Sequence, residues 1–199
     1  MESVTTDGKP LTRTQQARQG DIIAAAIHVL DAEGFAAASV ERIAQAASTS
    51  KSTVLYHFTT KEAIYREVVR SLYEQGNASM TAQIDPQASP GEQLRAYLEA
   101  NLRFLAAHAA HVNALHRILE NQPSVYSLPD GVAEVSTILR EGQACGDFGE
   151  FDPEVMAQAI RAVVDGFSFR MGDALSPERR ITEIVGLFTR ATAAHKEFS

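Results

Sequence analysis

Cysteine is nearly absent from this sequence, clean strand-like alternation is missing, and no long apolar run occurs. One cysteine, Cys145, stands among 199 residues, which excludes an intrachain disulfide framework and suits a reducing compartment. No apolar run approaches the ~18 residues of a membrane span. The opening stretch from Met1 to Pro10 lacks the apolar segment of a secretory signal. The expected location is therefore the cytoplasm, with no membrane partner. No Gly-rich phosphate loop or paired-carboxylate site stands out, so neither a cofactor nor catalysis is expected. His108 and His111 lie at i, i+3, but His116 falls ~140° around a continuous helix. With no neighbouring cysteine or carboxylate to complete a tetrahedral set, no metal is expected. Cys145 sits beside a helix C-terminus, where the dipole opposes a reactive thiolate.

What the chain does have is alanine and acid. It carries 31 alanines, and alanine is the best helix former and is depleted in strands. An all-α fold of about nine helices follows. Eighteen basic and 25 acidic residues give a net charge of −7. Residues 1–66 hold seven of each, so all the excess negative charge lies beyond them. Bulk composition therefore predicts no basic face, although a neutral segment can present one locally.

Punctuation divides the helices. A first helix over about Arg13–Glu33 carries Ile23, Ala26, Ile27 and Leu30 on one stripe and stops at Gly34. Ser39 caps a short helix through Val40–Ala46, and Ser50 or Thr49 caps another over Lys51–His57. A long helix runs from Lys61 to about Gln83, stopped by Asp85-Pro86. Ser89-Pro90-Gly91-Glu92 opens the next, which breaks near His108–Ala110 and resumes to Asn121. After a loop over Pro123–Pro129, a helix spans about Asp130–Ala144 and ends at Gly146. Asp152-Pro153 and Ser176-Pro177 open two more, at about 153–172 and 177–195. The expected divisions are a tail over 1–12, a three-helix unit over 13–60, a connecting helix over 61–83, and a larger helical domain over 84–199.

Two short helices separated by Ala47-Ser48-Thr49 and preceded by a longer one have helix-turn-helix spacing. A major groove admits one helix, whose first residues reach base edges while its partner crosses the backbone. Val40, Ile43, Ala44, Val54 and Phe58 would pack on the first helix. Lys51, Ser52, Thr53, Tyr56 and His57 then face outward, and Lys, Ser, Thr and Tyr are donors for phosphates and bases. The same spacing also suits any three-helix packing unit.

Ile43-Ala44-Gln45-Ala46-Ala47-Ser48-Thr49-Ser50-Lys51-Ser52-Thr53-Val54-Leu55-Tyr56-His57-Phe58, followed by Lys61-Glu62-Ala63-Ile64, resembles the DNA-binding signature of the tetracycline-repressor (TetR) family. The resemblance runs over residues 19–65, through Ala26, Gly34-Phe35 and Ser39-Val40. Asp152-Pro153-Glu154 and Asp165-Gly166 look like the family's C-terminal domain. The resemblance implies that Ser50 caps a recognition helix bearing Lys51, Ser52, Thr53 and Tyr56, with His57 at its end. It implies that Ser39 caps the scaffold helix and touches a phosphate, and that Lys61 holds a backbone phosphate. Three positions depart from the family pattern: Ser48 stands for a turn glycine, Thr49 for a valine, and Leu55 for a phosphate-contacting tyrosine.

Reading a palindromic operator with two such units requires a homodimer. The last two helices are wide in their apolar arc, so they must bury two faces. The expected interface comprises Met156, Ile160, Val163, Val164, Phe167, Ile181, Ile184, Val185 and Phe188. Beside it runs a small-residue stripe of Val155, Ala159, Ala162 and Gly166. Between the two ends, polar and aromatic groups interrupt apolar helices, as a pocket for a small-molecule effector requires. The candidates are Tyr73, Met80, Tyr97, Asn101, Phe104, His108, His111, Leu115 and Tyr126. The expected function is a repressor that binds double-stranded operator DNA and is released by an unknown small molecule. An activator or ligand-independent regulator of the same fold is the nearest alternative, and an all-helical adaptor is the alternative from another class.

Overall fold

Seven of the described helices start where a short polar side chain takes up free N–H groups of a first turn. A computed structural model of the chain describes residues 12–122, 131–167 and 176–194. Among these are nine helices: α1 (Arg13–Glu33), α2 (Val40–Ala46), α3 (Lys51–His57), α4 (Lys61–Gln83), α5 (Pro90–Ala107), α6 (Ala109–Asn121), α7 (Gly131–Cys145), α8 (Pro153–Phe167) and α9 (Pro177–Thr192). The all-α class expected above is the observed one. The one extended pairing among the described residues is an isolated bridge between Phe148 and Ala193. None of the described helices is long and apolar enough to cross a membrane.

The caps expected at Ser39, Ser50, Ser89 and Ser176 form, and Thr12 adds one that the sequence reading did not name. Thr12 and Gln15 form a capping box on α1, and Ser89 and Glu92 form another on α5. Ser39, Ser50 and Ser176 accept from the backbone N–H groups of Arg42, Thr53 and Arg179. Gly34 ends α1 at φ 86°, a left-handed conformation that costs glycine nothing. Ser48 also takes a positive φ, 50°, in the turn between α2 and α3. This is the position where glycine was expected, and the hydroxymethyl group is carried there despite the steric cost of left-handed backbone.

The chain forms two compact units. The first takes residues 1–74 together with 110–127. Its core joins Ile22, Ala26, Val29 and Leu30 of α1 to Ile43, Val54 and Phe58, and to Ile64, Tyr65 and Val68 of α4. The stripe expected on α1 was Ile23, Ala26, Ile27 and Leu30. Ile23 and Ile27 are only half-buried, while Ile22, Ala25 and Val29 are buried in their place. Helix α1 is apolar nearly all round from Ile22 to Ile27, so its neighbours choose the face. The first unit also includes nearly all of α6, which the sequence reading had left inside the 84–199 stretch. The Nε2–H of buried His111 donates to the Val68 carbonyl at 2.7 Å, because a carbonyl can only accept. Asn113 Nδ2 donates to Asp31 Oδ1 at 2.9 Å.

The second unit takes residues 75–109 and 128–199. Its core is built by Leu94, Leu98 and Leu102 of α5, Val135 and Leu139 of α7, Ile160, Val164 and Phe167 of α8, and Ile181, Val185 and Phe188 of α9. Phe148 seals the turn between α7 and α8 against Gly142 of α7.

Candidate nucleic-acid interface

Helix α3 is held by one side and offered by the other. Val54 is fully buried and Phe58, at the cap, nearly so. Helical geometry then turns Ser52 and Tyr56, roughly 100–140° around from Lys51, away from the core. Lys51, Ser52, Leu55 and Tyr56 are exposed, Tyr56 by 69% and Leu55 by 38%, while Thr53 and His57 are half-buried. Exposed tyrosine and leucine on a seven-residue helix are costly to leave in water, and a partner surface would cover them. Leu55 lies one turn from Lys51, so the two share a flank.

The polar groups of this face are organised before any partner arrives. Ser50 Oγ lies 2.8 Å from both Ser52 Oγ and Thr53 Oγ1, and it accepts from the Thr53 N–H at 3.1 Å. Lys51 Nζ is paired with the Glu41 carboxylate of α2, and Arg42 with Glu33 of α1. Hydrogen bonds from Lys51 and Arg42 hold the Glu41 and Glu33 carboxyls below the usual carboxylate range. Tyr56 receives a long hydrogen bond from Gln15 Nε2 at 3.4 Å and meets the His57 ring edge-on at 5.2 Å. Partial burial, and then the Arg18 charge, push the His57 pKa down. Its imidazole is accordingly neutral near pH 7.

Lys61 opens α4 behind Thr60, whose Oγ1 accepts from the Ala63 N–H at 3.2 Å. Its ammonium lies 5.1 Å from the Phe35 ring centre and 5.5 Å from that of Tyr65, which fixes a flexible chain beside a helix N-terminus. The Tyr65 hydroxyl donates to the Ala38 carbonyl, tying α4 to the turn before Ser39. All eight sequence-derived residues, Ser39, Ser50, Lys51, Ser52, Thr53, Tyr56, His57 and Lys61, thus lie in the first unit with part of each at the surface. Missed were Glu41 and Gln15. Both come from other helices, and no spacing in the chain announces them.

The residues expected around an effector are divided. Tyr97, Asn101, Phe104 and His108 share one stripe of α5 in the second unit. There Arg161 Nη1 donates to the buried Tyr97 hydroxyl at 2.9 Å, and Asn101 Nδ2 donates to the Tyr97 carbonyl. Phe104 stacks on His108 at 4.1 Å and lies against Gly76 of α4. Met80 belongs to that unit as well and is half-buried. Tyr73, His111 and Leu115 belong to the first unit, and Tyr126 lies outside the described residues. Two surface cavities, of about 260 and about 380 Å³, are lined by other residues, the first between α5 and α9 and the second around Gln143 and Phe148–Phe151.

The expected dimer surface needs correction. Ile160, Val164, Phe167, Ile181, Val185 and Phe188 are buried inside the single chain, and Met156, Val163 and Ile184 pack partly against that core. The apolar surface that α8 and α9 leave exposed is the neighbouring stripe. Val155 is 62% and Leu187 51% exposed, with Ala159, Ala162 and Ala191 also in the open.

Comparison with known proteins joins these features. The model of bacterial regulatory proteins of the tetR family matches residues 22–68, from within α1 into α4. The HTH-type transcriptional regulator RutR of Escherichia coli K12 is 33% identical over 102 residues, half of this chain. The chain thus spans about half (48%) of that relative's length. Among solved structures, a tetR-family regulatory protein from Rhodococcus RHA1 superposes with a TM-score of 0.78 at 22% identity, covering 90% of this chain and 98% of its own. AibR, solved in complex with isovaleryl coenzyme A and operator DNA, superposes at 0.72 with 18% identity, covering 85% of this chain and 97% of its own. The helix-turn-helix of α2 and α3, capped as its residues dictate, lies inside the segment that matches the tetR family of bacterial regulatory proteins.

Proposed function

We propose that this chain is a homodimeric transcription regulator that represses by binding a palindromic operator and is released by a small-molecule effector. The observation that carries the reading is α3: a short helix anchored by Val54 that presents Lys51, Ser52 and Tyr56 to solvent. That row supplies the donors for phosphates and base edges, with Ser39 and Lys61 at flanking helix N-termini to hold backbone phosphates. One unit reads few base pairs, so affinity and specificity come from two units on half-sites ~34–36 Å apart. The exposed stripe of Val155, Ala159 and Ala162 on α8, with Leu187 and Ala191 on α9, supplies a face for the second chain.

The effector would be recognised along the α5 stripe of Tyr97, Asn101, Phe104 and His108. The AibR structure, holding both an acyl-coenzyme A and operator DNA, supports a single protein serving both ligands. Release requires that the effector favour a state in which DNA binds less well, and a coupling of ~1–3 kcal/mol is typical. Operator DNA must then weaken effector binding by the same factor.

The test is a gel shift with DNA flanking the protein's own gene, titrated with salt. Phosphate contacts demand a steep fall of affinity as salt rises. Lys61→Ala should weaken binding to every duplex, while Lys51→Ala should change sequence preference. Affinity independent of salt, or untouched by Lys61→Ala, would overturn the reading.

A further inference from the structure

The second unit is acidic, with nine basic against fifteen acidic side chains. Three of those nine gather on one groove. Arg95 and Arg103 stand on α5, two turns apart, ~12 Å along the axis, and Arg190 stands across from them on α9. The groove encloses about 260 Å³ and has Thr182, Gly186 and Thr189 along its α9 wall. Only Glu99 opposes the arginines, and one carboxylate is shared by two of them: Arg95 Nε reaches Glu99 Oε1 at 3.0 Å and Arg103 Nη1 reaches Oε2 at 3.1 Å. Both guanidinium groups keep further N–H donors for another partner.

Arg190 makes no ion pair among the described residues. Its guanidinium folds back over Gly186, where an added Cβ would lie 3.0 Å from Arg190 Nη1. The missing side chain lets the guanidinium fold back along the helix and over the groove. Sign reversal, spare donors, an unpaired cation and a glycine that makes room for it coincide in one place. The geometry points to a binding site for a small organic polyanion, carrying phosphate or carboxylate groups, between α5 and α9. Arginine matches both groups bidentately. The volume lies just below the ~300–1,000 Å³ usual for small-molecule sites, so the occupant is a compact molecule.

Isothermal titration of the full chain with pyrophosphate, and separately with citrate, tests this without recourse to DNA. Saturable binding of either anion is expected, and the stronger of the two reports the phosphoryl or carboxylate class. Arg190→Ala and Arg103→Ala should each weaken it at least tenfold, and Gly186→Val, which displaces Arg190, should weaken it too. Arg117→Ala, outside the groove, should leave it unchanged. Heats that never saturate, or binding retained in Arg190→Ala, would overturn the proposal whatever the outcome at operator DNA.

Discussion

Lys51 leaves the first turn of α3 with a carboxylate already beside it. Glu41 holds its ammonium, Glu33 holds Arg42, and Asp21 lies 3.5 Å from Arg18. This pairing is the structural form of the neutral charge balance over residues 1–66. A phosphate that takes Lys51 must displace Glu41, so Glu41 tempers attraction to DNA of any sequence. Glu41→Gln is expected to raise affinity for unrelated duplex roughly two- to fivefold, in the range of an exposed ion pair, and to narrow the margin between operator and random DNA. Fluorescence anisotropy on both duplexes checks it, and equal affinities for wild type and variant would refute it.

His57 carries a second residue-scale consequence. Its folded pKa is depressed below the ordinary 6.5 by burial and then by Arg18. Below about pH 6.5 the unfolded chain therefore takes up this proton before the folded one does. The stability tied to the neutral ring is present above that pH and is lost as pH falls through it. Thermal melts should show a smaller drop between pH 7 and 5.5 for His57→Gln than for the wild-type protein. DNA acts in the opposite sense, because phosphates favour the imidazolium, so bound operator should raise the His57 pKa in an NMR titration.

At the scale of elements, the turn from α7 to α8 depends on a glycine that no local rule singles out. Gly142 lies inside α7, where glycine costs helix stability, yet its Cα is covered by the Phe148 ring. A Cβ there would fall 2.1 Å from Phe148 Cδ2. Gly142→Ala should cost about 1–3 kcal/mol as overpacking, seen as a lower melting temperature, and Phe148→Leu in the same chain should restore part of it. Gly146, by contrast, was legible as the stop after α7 and takes φ 85°. The difference is physical: a left-handed cap is a local demand, whereas Gly142 answers an aromatic ring brought back by the turn. The same contrast holds for α1. Its ends at Thr12 and Gly34 follow from caps, but its buried face turned toward Ile22 and Val29 because a nearly all-apolar surface leaves the choice to α2, α3 and α4.

At the scale of the whole molecule, α8 and α9 are apolar over more than one face, and two claimants compete for them. The bulkiest stripe, Ile160, Val164 and Phe167 with Ile181, Val185 and Phe188, closes the core of a single chain. The lesser stripe stays exposed and is the face the proposed dimer would use. Val155→Glu with Leu187→Glu should therefore yield a folded monomer by light scattering, with helical circular dichroism retained and operator affinity reduced at least tenfold, since two linked half-sites become one. A dimer that survives both charges would refute this face.

Composition and punctuation decided the helix count, the caps and the peptide that carries the resemblance, because these depend on residues within a turn or two of one another. Serine at 39, 50, 89 and 176 and glycine at 34 act through their own backbone neighbourhood and need no partner. Packing across the chain decided which apolar stripe faces inward, that α6 joins the first unit through His111 and Val68, that Glu41 restrains Lys51, and that Arg190 meets Arg95 and Arg103 across a groove. Those outcomes depend on distances between residues 10 to 95 positions apart, and only a folded chain sets such distances.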